Sequence, residues 1–93
     1  MNVEDFLQIL QQEGFPEPVE VQQIPNGVLG IHAHPFEVRA LVTQGSIEIV
    51  LNGVGSTYLS GDTFHLDFEQ EHSESYGPAG VSYLASRKLA GNH

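Results

Sequence analysis

The alternation of apolar and polar positions divides the chain into one short helical stretch and a longer series of strands. Val3, Phe6, Leu7 and Leu10 recur at helical spacing. Asn2 is placed to cap this helix, and Glu4 and Asp5 fall in its first turn, where the dipole favours acids. Gly14 stops the pattern. Phe15-Pro16-Glu17-Pro18 reads as an extended connector, because each proline biases its predecessor away from helix. From Val19 the texture changes to short runs punctuated by turns. Val19 and Val21 alternate with polar residues, Pro25-Asn26-Gly27 is a turn, and strands are predicted over Val28–His34 and Val38–Thr43. Gln44-Gly45 reads as a turn into a strand over Ser46–Leu51, and Asn52-Gly53 as a tight hairpin. Thr57–Leu59, the turn Ser60-Gly61-Asp62, and a strand over Thr63–Leu66 follow. Tyr76-Gly77-Pro78-Ala79-Gly80 reads as a loop before a last strand over Val81–Ser86. Such spacing predicts an all-β antiparallel sandwich or barrel, one domain overall, with a helix over residues 1–14 packed as a lid on a barrel over 19–93.

Composition narrows the partners. A chain of 93 residues buries only about two-thirds of the surface its unfolded form exposes, so a bound metal or a second copy would add support, and a homodimer is expected. There is no cysteine, which removes disulfides, thiolate metal sites and thiol nucleophiles. Met1 to Asp5 carries acids and no basic segment, and no apolar run approaches membrane-spanning length. A signal peptide and a membrane anchor are therefore not expected, and a cytoplasmic location is. Three basic residues against twelve acidic ones leave a net charge of −9. That surface repels phosphate backbones and anionic lipid, so neither nucleic acid nor membrane is an expected partner.

The candidate chemistry lies in the histidines. His32 and His34 are separated by one residue on a predicted strand, so their imidazoles project to one face. His72 follows in a second strand-like region that also begins at a glycine turn. Clustered imidazoles favour zinc, iron, copper, nickel or manganese. His65 is flanked by Phe64 and Leu66 on the apolar phase and is read as pointing to solvent; His93 is terminal.

The run Gly27 to Gly45, with its glycine, His-x-His and closing glycine, resembles the first motif of the cupin superfamily. Gly61 to His72 resembles the second motif, in which a Gly-Asp turn leads through a strand to a histidine. The likeness covers roughly residues 19 to 86 and is similar to small single-domain bacterial cupins of unassigned function. It implies a small antiparallel jelly-roll barrel and one divalent metal per chain. In the second motif, Asp67 and Glu69 stand where the family carries proline and glycine, which predicts a more flexible and more charged loop before His72. The position at which the resemblance expects a carboxylate or amide ligand, counted from His34 or back from Gly45, falls on Val38. Glu37 is one residue early, and a one-residue shift in a strand turns the side chain to the opposite face. Glu37 and Arg39 are read as an outward pair bonded to each other, although a bend at Pro35-Phe36 would turn Glu37 inward. The expected metal site is thus His32, His34 and His72, with one position open to water or substrate.

Val38, Phe64 and Tyr83 are expected to line a pocket beside this site, and Phe36 and Phe68 to serve core or pocket. Tyr58 and Tyr76 are candidate hydrogen-bond donors, and Glu69, Glu71 and Glu74 are candidate partners for a ligand imidazole. Arg87 and Lys88 are expected to offset acids at the sheet edge. The resemblance implies a metal-binding protein that binds or transforms a small organic molecule, as a metal-dependent oxygenase or isomerase. A non-catalytic binding or sensor module and a metal-free scaffold stand as alternatives, because fold likeness does not assign chemistry.

Overall fold

The computed structural model describes residues 1–89 and shows one helix followed by an antiparallel sheet. The helix α1 spans Val3–Gln12, and the strands are β1 (Val19–Gln23), β2 (Val28–His32), β3 (Phe36–Leu51), β4 (Val54–Leu59), β5 (Thr63–Leu66) and β6 (His72–Leu89). No helix among the described residues is long and apolar enough to cross a membrane. The expected end of the barrel beyond residue 89, with His93, lies outside the described residues.

Two long strands organise everything else. β3 and β6 pair with each other from Phe36↔Leu89 to Val50↔Ser73. Their free edges are shared out: β1 and β2 pair with successive parts of β6, and β5 and β4 with successive parts of β3. Curling of these ladders encloses a core of Val38, Ala40, Val42, Ile47, Ile49, Phe64, Leu66, Tyr76, Val81, Tyr83 and Ala85.

Two expectations are corrected here. The turn at Gln44-Gly45 and the loop at Tyr76–Gly80 are kinks within continuous strands. The inward set on β3 changes from even positions (Val38, Ala40, Val42) to odd ones (Ile47, Ile49) across a register shift at Thr43. One extra residue in a strand produces that phase change. Gly45 and Gly80, at φ of 78° and 75°, supply the bends, and the ladder resumes past them. β2 is also shorter than expected and ends at His32, while β4 begins earlier, at Val54. The hairpin at Asn52-Gly53 has both residues at positive φ, as a two-residue turn with right-twisted strands requires.

The helix covers the outer face. Asn2 Oδ1 accepts from the Asp5 amide at 2.8 Å, capping the first turn. Phe6 and Leu10 are buried with Phe15 against Leu41, and Leu84 packs beside them. Two cations then fasten the helix end: Arg39 makes a forked bond to the Glu13 carboxylate, and Lys88 donates to the Glu13 carbonyl at 2.7 Å. Glu37 and Arg39 do face outward, but they are not bonded to each other. Arg39 holds the helix, and Glu37 accepts from His65.

The backbone of Gly45 approaches that of Gly80 so closely that an added Cβ would fall within the radius of the Gly80 carbonyl oxygen, whereas a Cβ at Gly53 would meet nothing. Both glycines have the same positive φ of 78°. Gly53→Ala should therefore cost about 1 kcal/mol for backbone strain alone. Gly45→Ala should cost more than about 3 kcal/mol, since strain and clash combine. Urea denaturation midpoints of the two variants measure the difference; equal losses would show that the kink relaxes freely.

Candidate metal centre

The register of β2 on β6 builds the centre. His32 lies directly opposite His72, and Leu29 opposite Glu74, so β2 uses three steps where β6 uses two. This one-residue shift brings Leu29 and His32 to the same face, which a regular strand would not do. The side chains of His72, Glu74 and Tyr76 alternate along β6 and project together. His34 comes from the segment just after β2 rather than from the strand itself, and its ring still stands 5.0 Å from that of His32 and 5.5 Å from that of His72. The His32 and His72 rings are 4.2 Å apart, and one ring nitrogen from each of the three histidines lies within 4.8 Å of the others.

Hydrogen bonds fix two of the rings. Nδ1 of His32 lies 2.7 Å from the Gly30 carbonyl, and Nδ1 of His72 lies 3.0 Å from the Gln70 carbonyl. A carbonyl oxygen only accepts, so each Nδ1 carries hydrogen, and in the neutral ring each Nε2 presents a lone pair. His34 stacks flat on Phe36, 4.8 Å between ring centres. Burial is the main cause that depresses its pKa, and the neighbouring His32 and His72 push in the same direction.

The turn before His72 is not the loose loop expected. The Glu69 amide donates to the His34 carbonyl at 2.8 Å, tying the two histidine segments together. The Asp67 amide donates to Gln70 Oε1, and the Gln70 amide to the Asp67 carbonyl. Glu69 adopts φ of 58°, a left-handed conformation that glycine reaches most readily.

A buried carboxylate faces the imidazoles. Glu74 Oε2 is 3.1 Å from His72 Nε2 and 3.5 Å from His32 Nε2, and its side chain is only 9% exposed. Tyr76 donates to Glu74 Oε1 at 3.0 Å. Burial, then the Glu74 carboxylate, hold the Tyr76 hydroxyl protonated far above its ordinary range. Sequence reasoning offered Glu69, Glu71 and Glu74 alike as partners for a ligand imidazole, and Glu74 is the one that meets the cluster. The available signal was the spacing His72, Glu74, Tyr76, all on one face once the strand is seen to start at His72.

A cavity of about 160 Å³ opens beside the centre, lined in part by Leu29, Val38, Phe64, Tyr83 and Arg87. Phe36 lines it too, whereas Phe68 is half exposed and lies outside it. Arg87 crosses the face of Phe36, 5.3 Å from the ring centre, and pairs with no carboxylate among the described residues. Lys88 likewise bonds a carbonyl rather than an acid, so neither cation plays the expected edge role. Tyr58 packs on Phe64 at 5.4 Å and makes no contact with the histidines. Glu37 lies with His65 and Asp67 in a separate outward group, where His65 bonds the Glu37 carboxylate instead of standing free in solvent.

No family model matches the chain, and no curated protein does. Solved structures do match. One is an RmlC-like cupin from Shewanella frigidimarina, with a TM-score of 0.68 at 20% identity, covering 81% of this chain and 67% of that one. The fold is that of the cupins. KdgF from Halomonas aligns with a TM-score of 0.62 at 21% identity, over 77% of this chain and 70% of that one. Oxalate decarboxylase from Bacillus subtilis, a protein with Mn(II) centres, aligns with a TM-score of 0.69 at 18% identity. That match covers 82% of this chain but 22% of the larger enzyme.

Tyr76→Phe removes the donor to a buried carboxylate and should cost about 1–2 kcal/mol in metal-free protein. Tyr58→Phe, which breaks no such bond, should stay within about 0.5 kcal/mol of the parent. Chemical denaturation in chelator tests the contrast, and equal effects would remove the structural role given to the Tyr76 bond.

Proposed function

We propose that this small cupin binds one divalent transition metal through His32, His34 and His72, and that a small anionic organic molecule enters the cavity beside it. The observation that carries the metal reading is His32 Nε2, a buried nitrogen with no hydrogen-bond partner among the described residues. A buried polar atom left unsatisfied is costly, and a buried lone pair beside two further imidazoles fits a cation. The donor set is nitrogen-rich and free of thiolate, which suits iron, zinc, manganese, nickel or copper. The Mn(II) centres of the structurally similar oxalate decarboxylase agree with that range.

The chain's own residues divide the remaining work. Gly30 and Gln70 carbonyls hold two rings with Nε2 turned inward, so little reorganisation accompanies binding. Val38, Phe64 and Leu66 give the cavity an apolar wall that excludes water. Arg87, which meets no carboxylate among the described residues, supplies a positive charge in a chain of net charge −9 and would orient an anionic group. Burial raises the Tyr83 hydroxyl above its ordinary pKa, so at this wall it is a proton donor to a ligand oxygen rather than a base. A bound divalent ion would polarise a carbonyl or carboxylate, or acidify its water.

Elemental analysis of tag-free protein is expected to give about one metal ion per chain after reconstitution, and less than about a tenth of that in His72→Ala. Absence of metal from both would overturn the reading and leave a barrel scaffold. We also propose a homodimer: Val28 and Ile31 on the short strand β2 are each 78% exposed, an apolar cost that a second copy would remove. Light scattering at micromolar concentration is expected to show twice the chain mass, and a monomer would refute it.

A further inference from the structure

The geometry points to Glu74 as a fourth metal ligand, supplying from β6 the carboxylate that the first motif lacks at Val38. This inference rests on the three-histidine reading above and adds a donor to it. Val38 is an apolar residue of the barrel core, 7% exposed, and offers no donor atom. Glu37, its acidic neighbour, is committed to His65 in the outward group. The carboxylate position expected on β3 is therefore vacant of chemistry, while a buried carboxylate stands on the strand paired with it.

The contact between Glu74 and the two rings is the decisive feature. His32 Nδ1 and His72 Nδ1 both face carbonyls, so their hydrogens are placed there and both Nε2 atoms are acceptors in the neutral ring. Glu74 Oε2 is an acceptor as well, and it sits 3.1 Å from one Nε2 and 3.5 Å from the other. Three lone-pair atoms thus converge with no hydrogen of their own to share. Either an added proton or a cation must lie among them, and a divalent ion satisfies all three at once. The other carboxylate oxygen is already provided for, since Oε1 accepts from Tyr76 at 3.0 Å. That bond orients Glu74 and leaves Oε2 for the centre, which is the pattern of a ligating carboxylate held by an outer hydrogen bond.

Strand geometry makes the substitution of one position for another possible. Glu74 is two residues after His72 on one face of β6 and stands opposite Leu29 on β2, within the wall that carries His32. The carboxylate and the second-motif histidine come from a single strand, so both move with β6.

Cobalt(II) titration of metal-free protein, followed by visible absorption and by competition with a chelator, tests the assignment without any assay of activity. Glu74→Gln keeps the shape and the Tyr76 contact but is a far weaker metal donor. It should lower cobalt affinity by more than about 100-fold, beyond the loss that follows removal of an outer hydrogen-bond partner, and should alter the ligand-field spectrum. Far-ultraviolet circular dichroism confirms that the variant is folded, and Glu74→Asp, which retains a carboxylate, should recover part of the affinity. Unchanged affinity and spectrum in Glu74→Gln, with binding lost in His72→Ala, would overturn this inference alone. A weaker affinity with an unchanged spectrum would also overturn it, placing Glu74 outside the coordination sphere. No cobalt bound by the parent protein would overturn it together with the three-histidine reading.

Discussion

The pairing of β3 with β6 is the constraint on which the rest depends. Each of the other four strands hydrogen-bonds to one of these two, and the helix packs on Leu41 and Leu84, which are opposite each other in that ladder. Because side chains alternate with a period of two, the ladder's register decides at once what enters the core, what meets the helix and what faces the histidine cluster. Val38, Ala40 and Val42 go in, and Glu37, Arg39 and Leu41 go out, to three different tasks. The kinks at Gly45 and Gly80 let this one ladder serve two walls of a barrel without ending.

Electrostatics inside and outside the barrel are arranged oppositely. The exterior carries most of the twelve acids. The cavity concentrates imidazoles, one carboxylate and one arginine, and burial works against charge on His34 and on the Tyr83 and nearby Tyr76 hydroxyls. Pre-set rings, an apolar wall and an arginine that meets no carboxylate among the described residues stand together at the cavity.

Much of this was legible in the sequence. The helix was marked by its cap and periodicity, the hairpin by Asn52-Gly53, and the two histidine segments by their motifs. Glu37 could be turned outward by counting alone. What escaped was continuity: Gly45 and Gly80 look like turn residues, and only long-range pairing shows that the strands pass through them. Glu74 was named only as one of three acids near His72, because the face it shares with His72 and Tyr76 shows once the strand is seen to begin at His72. Arg39 and Lys88 escaped for a related reason, as their partner, Glu13, is remote in sequence and carries no local signal.

The register shift between Leu29 and His32 has a consequence for how this segment can vary. Ile31 is exposed, and the backbone at Gly30 has open space where a side chain would begin, so the chemical identity of these residues is weakly constrained. Their register is not. The three steps from Leu29 to His32 span only two on β6, so a one-residue slip that straightened the bulge would turn the His32 imidazole to the outside of the barrel. The segment is tolerant in spelling and intolerant of a slip.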